Sequence, residues 1–559
     1  MLVIALAVSA LYWPFRWNPL VFDDNNFFGG KFHSEYLGTV FSFSRRWLPY
    51  ASFEWTRELF GVKIIWFRIG NLALHIATAA VLFQFLRKLY DAVLPQAATP
   101  AVGPVPEQAL SPVWLAFFGA LIFALHPAAV YAVAYLIQRS TLMATLFTVI
   151  MWYLLLEGVT RGSRWRLILS ACAYLLAGLS KEHAIMAPAV ALAMLVLVRK
   201  PALVLLRQVA LTFVLYVLIG AFILYQIKAQ HVVAQAYEPR GADMLAAFKA
   251  NDAAFDVRLA YPLSIVTQFF LFFKYWLVWI LPSPAWMSID MFEDFAVRFW
   301  SWPYTAGLIA FLLYPVLAVR LLLQRGERGL LGFALLCPWL MFATELSTVR
   351  IQESFVLYRS YLWMPGIFAA LPLLFAKVAA KRTAIILIAF ALVMVPASRA
   401  RLLTFSAPVL AWNDAARLVK DKDDRPGVER IYHNRGLQMS YLGYFREALV
   451  DFDKALSLNP NHILSYNDRG ATYLDLGDYP RALTDFNKTL ELNPQFPRAY
   501  FGRALTYQAL NRHDEARQNY RQLCALGYSE GCEKFRNYPN NKEHQSGNDA
   551  AAPTKPATQ

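Results

Sequence analysis

The sequence contains little charge for its length, because only 16% of its 559 residues are Asp, Glu, Lys or Arg, whereas globular proteins average about 25%. This shortage excludes a disordered chain and an ordinary soluble protein, and it points to a lipid bilayer. Four cysteines are too few for a disulfide scaffold, and no CxxC metal pair occurs. No glycine-rich phosphate loop is present, so the sequence does not support the use of ATP or a nucleotide sugar.

Residues 1–400 consist of apolar runs separated by short polar breaks. Because about 20 apolar residues in a helix cross a bilayer, this part predicts an all-α, polytopic helical bundle of about 11 spans. The 16 Trp and 28 Tyr residues suit the headgroup layers, where amphipathic rings collect. The predicted spans are 2–20, 66–86, 113–133, 141–158, 166–181, 184–199, 203–228, 303–324, 330–347, 362–378 and 383–398.

Positive charge sets the expected orientation of these spans. The net charge is +15, and basic clusters such as Arg161–Arg166 and Arg320–Arg328 follow or separate the spans. Because Lys and Arg collect in cytoplasmic loops, we expect a cytoplasmic N-terminus and a C-terminal part on the outer side of the membrane. The compact chain and the lack of strong glycosylation sequons favour a bacterial inner membrane, whose outer side is the periplasm. A further span at 263–281 would export the second cluster, so we interpret that segment as interfacial or re-entrant.

The polar C-terminal part repeats itself. Arg435, Arg469 and Arg503 are spaced by 34 residues, and so are Ala448 and Ala482. This is the period of tetratricopeptide (TPR) repeats, which are helix pairs stacked into a solenoid with a binding face. We predict a connector at 401–427, a TPR domain at 428–536 with repeats at 428–461, 462–495 and 496–529, and a disordered tail at 537–559.

Cys524 and Cys532 lie eight residues apart after the last repeat. If the repeats are outside the cytoplasm, these two residues would form a disulfide that caps the solenoid. Two unpaired thiols are the alternative.

Four groups of polar residues fall on the expected outer face. Each has a structural alternative, such as a solvated helix cap, an interfacial turn with a snorkelling arginine, or a local Lys–Glu pair. Together they suit a site for an anionic lipid-linked donor, with a carboxylate that activates the acceptor and cations that hold phosphate. The groups are Asp23 and Asp24; His126 with Arg139; Lys181, Glu182 and His183; and Arg350, Glu353 and Arg359.

The order of these groups, followed by Arg401, Trp412, Asp414 and the repeats, resembles the transmembrane-and-TPR protein O-mannosyltransferases and their bacterial relatives. Those proteins belong to the GT-C fold of polyprenyl-phosphate-sugar glycosyltransferases. The chain departs from the family pattern where five residues separate the late Glu from its Arg. The resemblance implies a catalytic carboxylate at Asp23 or Asp24, donor-phosphate contacts at Arg139, Lys181 and Arg359, and further site residues at His126, Glu182 and Glu353. His183 is a further candidate because it adjoins Glu182.

Residues and resemblance together predict a membrane glycosyltransferase that moves a sugar from a polyprenyl-phosphate donor to an acceptor, a protein Ser or Thr, on the outer face. The expected partners are the lipid-linked sugar, an acceptor protein or glycan held by the TPR domain, and the bilayer, but not nucleic acid. The sequence identifies no particular cofactor, although Asp23 and Asp24 are candidate ligands for a divalent metal.

Three other classes of protein stay open. A lipid-linked oligosaccharide transferase, glycan polymerase or ligase would carry a key histidine in a large late outer loop, and here His231 lies in the loop 229–262. A transporter would show intramembrane charges and internal repeats. A TPR assembly scaffold would use the membrane domain as an anchor, for which eleven spans are more than enough.

Overall fold

The computed structural model describes residues 1–22, 24, 28, 46–94, 109–200, 202–228, 241–251, 255–421 and 425–538. Helices form almost all the regular structure of these residues, and the only β-pairings among them are two isolated bridges. The predicted all-α class is therefore confirmed. The chain divides into two compact units, 1–418 and 419–559, and the division falls inside the predicted connector 401–427.

The first unit is built from helices joined by short turns. Several 3₁₀ turns extend or link these helices, including Leu136–Gln138, Glu182–Met186 and Ala343–Ser347. In chain order, the α-helices are α1 (Leu2–Tyr12), α2 (Trp47–Phe60), α3 (Ile64–Val93), α4 (Pro112–Leu125), α5 (Pro127–Val133), α6 (Arg139–Arg161), α7 (Arg164–Ser180), α8 (Ala187–Val198), α9 (Leu203–Lys228), α10 (Gly241–Asn251), α11 (Ala260–Ile280), α12 (Tyr304–Gln324), α13 (Gly326–Phe342), α14 (Leu357–Trp363), α15 (Leu371–Phe375), α16 (Ala380–Thr404) and α17 (Pro408–Val419).

Seven helices of the described residues are long and apolar enough to cross a membrane, and the bent pair α4 and α5 would make an eighth. The expected eleven spans are therefore not found. The segments 166–181 and 184–199 form helices of 17 and 12 residues, which are shorter than the usual spanning length of about 20. The segment 2–20 holds the 11-residue α1, and 362–378 is divided among several short helical pieces.

Helix α11 contradicts the re-entrant interpretation of residues 263–281, whereas the interfacial interpretation stays a prediction. The segment forms one continuous helix of 21 residues, and it is among those long enough to cross a membrane. A re-entrant segment needs a turn within its apolar run, but no Gly or Pro interrupts residues 264–280. Lys274 within this helix is paired with Glu293, so its charge has a partner. The inference that a span at 263–281 would export the Arg320–Arg328 cluster assumed eleven other crossings, so it no longer holds.

Helices α12 and α13 form a hairpin with a very close backbone approach. The hairpin turns at Arg325 and Gly326, which both have positive φ. A Cβ atom at Gly332 would overlap the backbone of Leu322 and lie 2.6 Å from the carbonyl oxygen of Ala318. Only glycine lets the two helices pack at this distance, because any side chain would force the backbones apart.

The second unit contains the three predicted helix pairs followed by a last helix. Each pair turns at a residue with positive φ, which is Gly443, Gly477 and Asn511 in turn, again spaced by 34 residues. Glycine and asparagine are the residues that most readily adopt this conformation. The helices are α18 (Glu429–Tyr441), α19 (Phe445–Leu458), α20 (Ile463–Asp475), α21 (Tyr479–Leu492), α22 (Pro497–Ala509), α23 (His513–Ala525) and α24 (Ser529–Asn537).

A disulfide joins Cys524 of α23 to Cys532 of α24. The bond ties the last helix to the third repeat, as expected for a cap on the end of the solenoid. The predicted pairing of these two cysteines is confirmed. The predicted tail 537–559 lies outside the described residues after residue 538.

We predict that Gly332→Ala destabilises the first unit by about 1–3 kcal/mol, the usual cost of overpacking a tight interface. Gly220→Ala in α9 is the matched control, because its Cβ would make only an ordinary 3.4 Å contact with the hydroxyl of Tyr174. Thermal unfolding of the purified chain in detergent measures both effects. Equal unfolding temperatures for Gly332→Ala and the wild type would contradict the close approach.

Candidate functional site

Asp24 is fully buried and binds backbone groups. Its carboxylate accepts the N–H of Leu136 at 3.2 Å and that of Ile137 at 2.9 Å. Burial raises the pKa of Asp24 to about 7, and the N–H of Ile137 and the charge of Arg68 offset only part of that effect. Both carboxylate oxygens therefore hold the start of the 3₁₀ turn at Leu136. Asp23 lies outside the described residues.

His126 sits at the break between α4 and α5, where the chain bends by 60°. Its Nδ1 accepts the N–H of Ala128 at 3.1 Å, which makes it the N-cap of α5. Its Nε2 therefore carries the proton and donates to the carbonyl of Trp279 at 3.1 Å. The two rings are stacked with centroids 4.2 Å apart. These contacts support the turn-forming role of His126, which was the structural alternative to a role in the site.

Arg139 is a buried cation with neutral partners. Its guanidinium donates to Asn71 Oδ1 at 2.9 Å, to the carbonyl of Phe67 at 2.9 Å and to the carbonyl of Ser52 at 3.1 Å. It also lies 3.9 Å from the ring centroid of Phe53. Most of its donors are thus used to join α2 and α3 to the start of α6, and this geometry favours a positioning role over the predicted contact with a donor phosphate.

Lys181 follows the last residue of α7 and is only 6% exposed. Its ammonium donates to Thr141 Oγ1 at 2.7 Å and to Gln138 Oε1 at 3.3 Å, and it lies 5.3 Å from the ring centroid of Tyr358. No carboxylate of the described residues is within ion-pair distance of it. The local pair with Glu182, the structural alternative for Lys181, does not form.

Glu182 and His183 have partners from other parts of the chain. Glu182 forms a bidentate ion pair with Arg46, at 2.6 and 3.1 Å. His183 Nδ1 is 3.7 Å from Glu182 Oε1, and its Nε2 is 3.3 Å from Glu345 Oε1. The imidazole therefore lies between two carboxylates.

Glu345 lies among the candidate site residues, although the sequence did not predict it there. It is 1% exposed, and its Oε2 is 3.1 Å from Arg359 and 3.6 Å from Arg350. One carboxylate thus holds two arginines and faces His183. A signal was available, because a lone acidic residue within the predicted span 330–347 is costly near lipid unless it has partners or a function.

Glu353 and Arg359 form the predicted late pair despite their separation in sequence. Their side chains meet at 3.0 Å, and Arg359 also donates to the carbonyl of Glu353 at 3.2 Å. The hydroxyl of Tyr358 donates to Glu353 at 3.3 Å. The side chain of Glu353 is 39% exposed, so it is the most accessible carboxylate of this group.

These side chains converge into one group, here called the charged cluster, which joins the predicted third and fourth polar groups. It contains four cations, three carboxylates and one histidine, and its members are Arg46, Lys181, Glu182, His183, Glu345, Arg350, Glu353 and Arg359. Within the described part of the chain, no group of three or more His, Cys, Asp and Glu side chains could hold a metal ion. The suggested metal site at Asp23 and Asp24 lies partly outside that part.

The 3₁₀ turn Leu136–Gln138 connects Asp24 to the charged cluster. Asp24 binds the first two N–H groups of the turn, and Lys181 binds the side chain of its last residue, Gln138. The carboxylate of Asp24 and the ammonium of Lys181 therefore both hydrogen-bond to this one short turn. His231, the histidine that an oligosaccharide transferase or ligase would use, lies outside the described residues.

Comparison with known families concerns the C-terminal unit. Residues 429–462 match one tetratricopeptide-repeat model, and residues 467–529 match another. The C-terminal unit is a tetratricopeptide-repeat domain. Its three repeats, predicted from the 34-residue period, are confirmed. Such repeats serve protein interaction, which makes a peptide or protein partner the general expectation for this unit.

Among solved structures, the first TPR domain of human RPAP3 is 21% identical, with a TM-score of 0.20, over 22% of this chain and 97% of its own. The TPR domain of Arabidopsis OM64 is 20% identical, with a TM-score of 0.19, over 19% and 91%. MamA from Desulfovibrio magneticus is 21% identical, with a TM-score of 0.22, over 25% and 78%. A comparison with curated protein sequences found no match.

We predict that Glu345→Gln destabilises the first unit by about 3–5 kcal/mol, because removing one partner of a buried ion pair leaves uncompensated charge. Glu353→Gln is the matched control. Its carboxylate is partly exposed, and such a pair contributes only about 0–1 kcal/mol. Thermal unfolding in detergent should separate the two variants clearly. Equal effects would show that Glu345 is not the central partner of the arginines.

Proposed function

We propose that this chain is a membrane glycosyltransferase that takes a sugar from a polyprenyl-phosphate donor and delivers it to an acceptor protein engaged by the TPR domain. A membrane location is supported by the seven or eight long apolar helices. Their outer surfaces expose large apolar side chains, such as Val204 at 77% and Val316 at 66%. Apolar surface on this scale is unfavourable in water and favourable in lipid.

The observation that carries the proposal is the environment of Lys181. A cation removed from water and hydrogen-bonded only to neutral oxygens loses hydration without gaining a direct ion pair. An anion that reaches this position would restore that loss through charge-assisted hydrogen bonds. The phosphate of a lipid-linked sugar is an anion that can approach from the bilayer. Arg46 and Arg359 of the charged cluster add positive potential beside Lys181.

In the proposed reaction, the acceptor hydroxyl oxygen attacks the anomeric carbon of the sugar. The bond from that carbon to the phosphate oxygen breaks, and its electron pair leaves with the phosphate. Asp24 or Asp23 accepts the hydroxyl proton, while Lys181 and Arg359 compensate the charge of the leaving group. A single displacement of this kind inverts the anomeric configuration. The turn shared by Asp24 and Lys181 supports a base and a cation that act on one substrate.

A TPR scaffold anchored in the membrane is the second candidate. It is favoured by the tetratricopeptide-repeat matches, since such repeats assemble proteins. A scaffold that only assembles proteins would not need a lipid-linked sugar donor. Binding of a polyprenyl phosphate therefore distinguishes the two candidates.

We predict that Lys181→Gln weakens the binding of polyprenyl phosphate by roughly ten- to a hundredfold, because a hydrogen bond to a charged group contributes about 1.5–3 kcal/mol. Lys274→Gln is the matched control, since Lys274 already has Glu293 as its partner. Titration of the detergent-purified chain, followed by native mass spectrometry, measures both affinities. If the wild type does not bind the lipid, the donor class is wrong and the scaffold is favoured.

We predict that sugar transfer depends on a group that titrates near pH 7. A base must be deprotonated, and the pKa of Asp24 lies at about 7, so the rate should fall about tenfold per pH unit below that value. Transfer of radiolabelled sugar from a polyprenyl-phosphate donor in isolated membranes provides the measurement. Asp24→Ala should abolish it while expression is retained.

Asp23→Ala serves as the companion variant in the same assay. If Asp24 is the base, this variant keeps the same pH profile. If Asp23 is the base, this variant loses transfer instead. Full activity of both single variants and of the double variant would reject a carboxylate of the first loop as the base.

A further inference from the structure

The TPR domain contains three arginines that occupy the same repeat position, namely Arg435, Arg469 and Arg503, and that are partly buried. Each arginine follows a tyrosine of the same helix by three residues. The guanidinium carbons lie 5.6, 5.5 and 5.5 Å from the ring centroids of Tyr432, Tyr466 and Tyr500. Because the three arginines occupy equivalent positions on equivalent helices, their hydrogen-bond partners can be compared directly.

The first two arginines are neutralised by carboxylates. Arg435 donates from Nε and Nη2 to both oxygens of Asp451, at 2.7 and 2.6 Å. Arg469 makes the same bidentate contact with Asp485, at 2.8 Å for both bonds, and its Nη1 adds Asp453 at 2.5 Å. Arg–carboxylate pairs with two parallel bonds are among the strongest polar contacts in proteins.

The third arginine has amides where the others have carboxylates. Asn519 and Asn487 stand at the repeat positions of Asp485 and Asp453. Arg503 donates from Nε to Asn519 at 2.8 Å and from Nη1 to Asn487 at 2.7 Å. Asn519 is rotated so that its Nδ2 donates to the carbonyl of Glu515 at 2.8 Å. Among the described residues, the Nη2 of Arg503 therefore has no acceptor, whereas Nη2 donates to a carboxylate in both other repeats.

The electrostatics of the three arginines differ accordingly. The hydrogen bond to Asp451 raises the pKa of Arg435. For Arg469, burial acts to lower the pKa, but the bonds to Asp485 outweigh it and the pKa is raised. Burial lowers the pKa of Arg503, because its amide partners carry no charge to oppose that effect.

The rest of the third repeat is also rich in uncompensated positive charge. Residues 496–529 contain five arginines and two carboxylates, whereas residues 462–495 contain three cations and five carboxylates. Arg512 is paired with Glu515 at 2.6 Å. The remaining arginines have no carboxylate within ion-pair distance in the described part of the chain, and they are Arg498, Arg503, Arg517 and Arg521.

We propose that the third repeat binds an acidic segment of a partner protein and that Arg503 receives one of its carboxylates through Nη2. The internal comparison supports this partner, because the position left open at Arg503 is filled by Asp in the other two repeats. The surrounding arginines would attract the segment. A protein is favoured over a lipid headgroup because the guanidinium is partly buried between a tyrosine and two asparagines, where a single side chain reaches more easily than a bilayer surface. The proposal goes beyond the transferase function and does not depend on it.

The test uses the full chain reconstituted in phosphatidylcholine nanodiscs and a fluorescent peptide of alternating glutamate and glycine, with binding followed by anisotropy. Asn519→Asp restores the carboxylate that both other repeats carry, and Asn487→Asp restores the one that Arg469 has in Asp453. Each should weaken binding by about three- to fivefold, as should Arg503→Gln. These magnitudes correspond to one exposed ion pair. Binding should also weaken as salt is added.

Arg481→Gln is the control, because it removes the same charge from an arginine already paired with Asp478, and it should leave the affinity unchanged. Unaltered unfolding temperatures show that the variants are folded. Equal affinities for the wild type, Asn519→Asp and Arg503→Gln would overturn the proposal, and so would an equal loss in Arg481→Gln. Binding of phosphatidylglycerol vesicles through Arg503, without binding of the peptide, would overturn it in favour of a lipid surface.

Discussion

A carboxylate buried among apolar helices must be compensated by positive charge, and Glu345 obtains this from Arg350 and Arg359. The requirement brings together segments that are distant in sequence. Arg359 reaches on to Glu353, and His183 connects Glu345 to Glu182 and thus to Arg46. The segments that carry the charged cluster are thus held together by ionic contacts.

Among the described residues, Arg139 and Lys181 of the first unit are both buried cations without an ion pair, and they differ in what their hydrogen bonds hold together. Arg139 donates most of its hydrogen bonds to oxygens of α2 and α3. These bonds join helices, which offsets the desolvation cost of burying its charge. Lys181 has only two side-chain oxygens, and both come from the segment that Asp24 anchors. A buried charged group that does not hold structural elements together is a candidate for a functional role. This contrast is the reason why Lys181, and not Arg139, carries the proposed function.

The TPR domain shows the same principle in a regular form. A periodic sequence sets three equivalent arginines on equivalent helices, and the neighbouring residue decides whether each charge is cancelled. Asp451 and Asp485 cancel it, whereas Asn519 does not. The fold tolerates the change because an amide oxygen accepts the same hydrogen bond as a carboxylate. A residue that departs from the repeat but keeps its hydrogen bond, as Asn519 does, therefore points to a function and not to a requirement of the fold.

The sequence by itself determined the features that depend on neighbouring residues: the helical class, the 34-residue period and the helix pairs of the TPR domain. These follow from local composition and spacing, which act over a few turns of helix. Tertiary structure alone decided the continuity of α11, the capping role of His126 and the partners of Lys181. Glu182 pairs with Arg46 rather than with the adjacent Lys181, because packing decides which distant side chains lie close enough to compete with a neighbour in sequence.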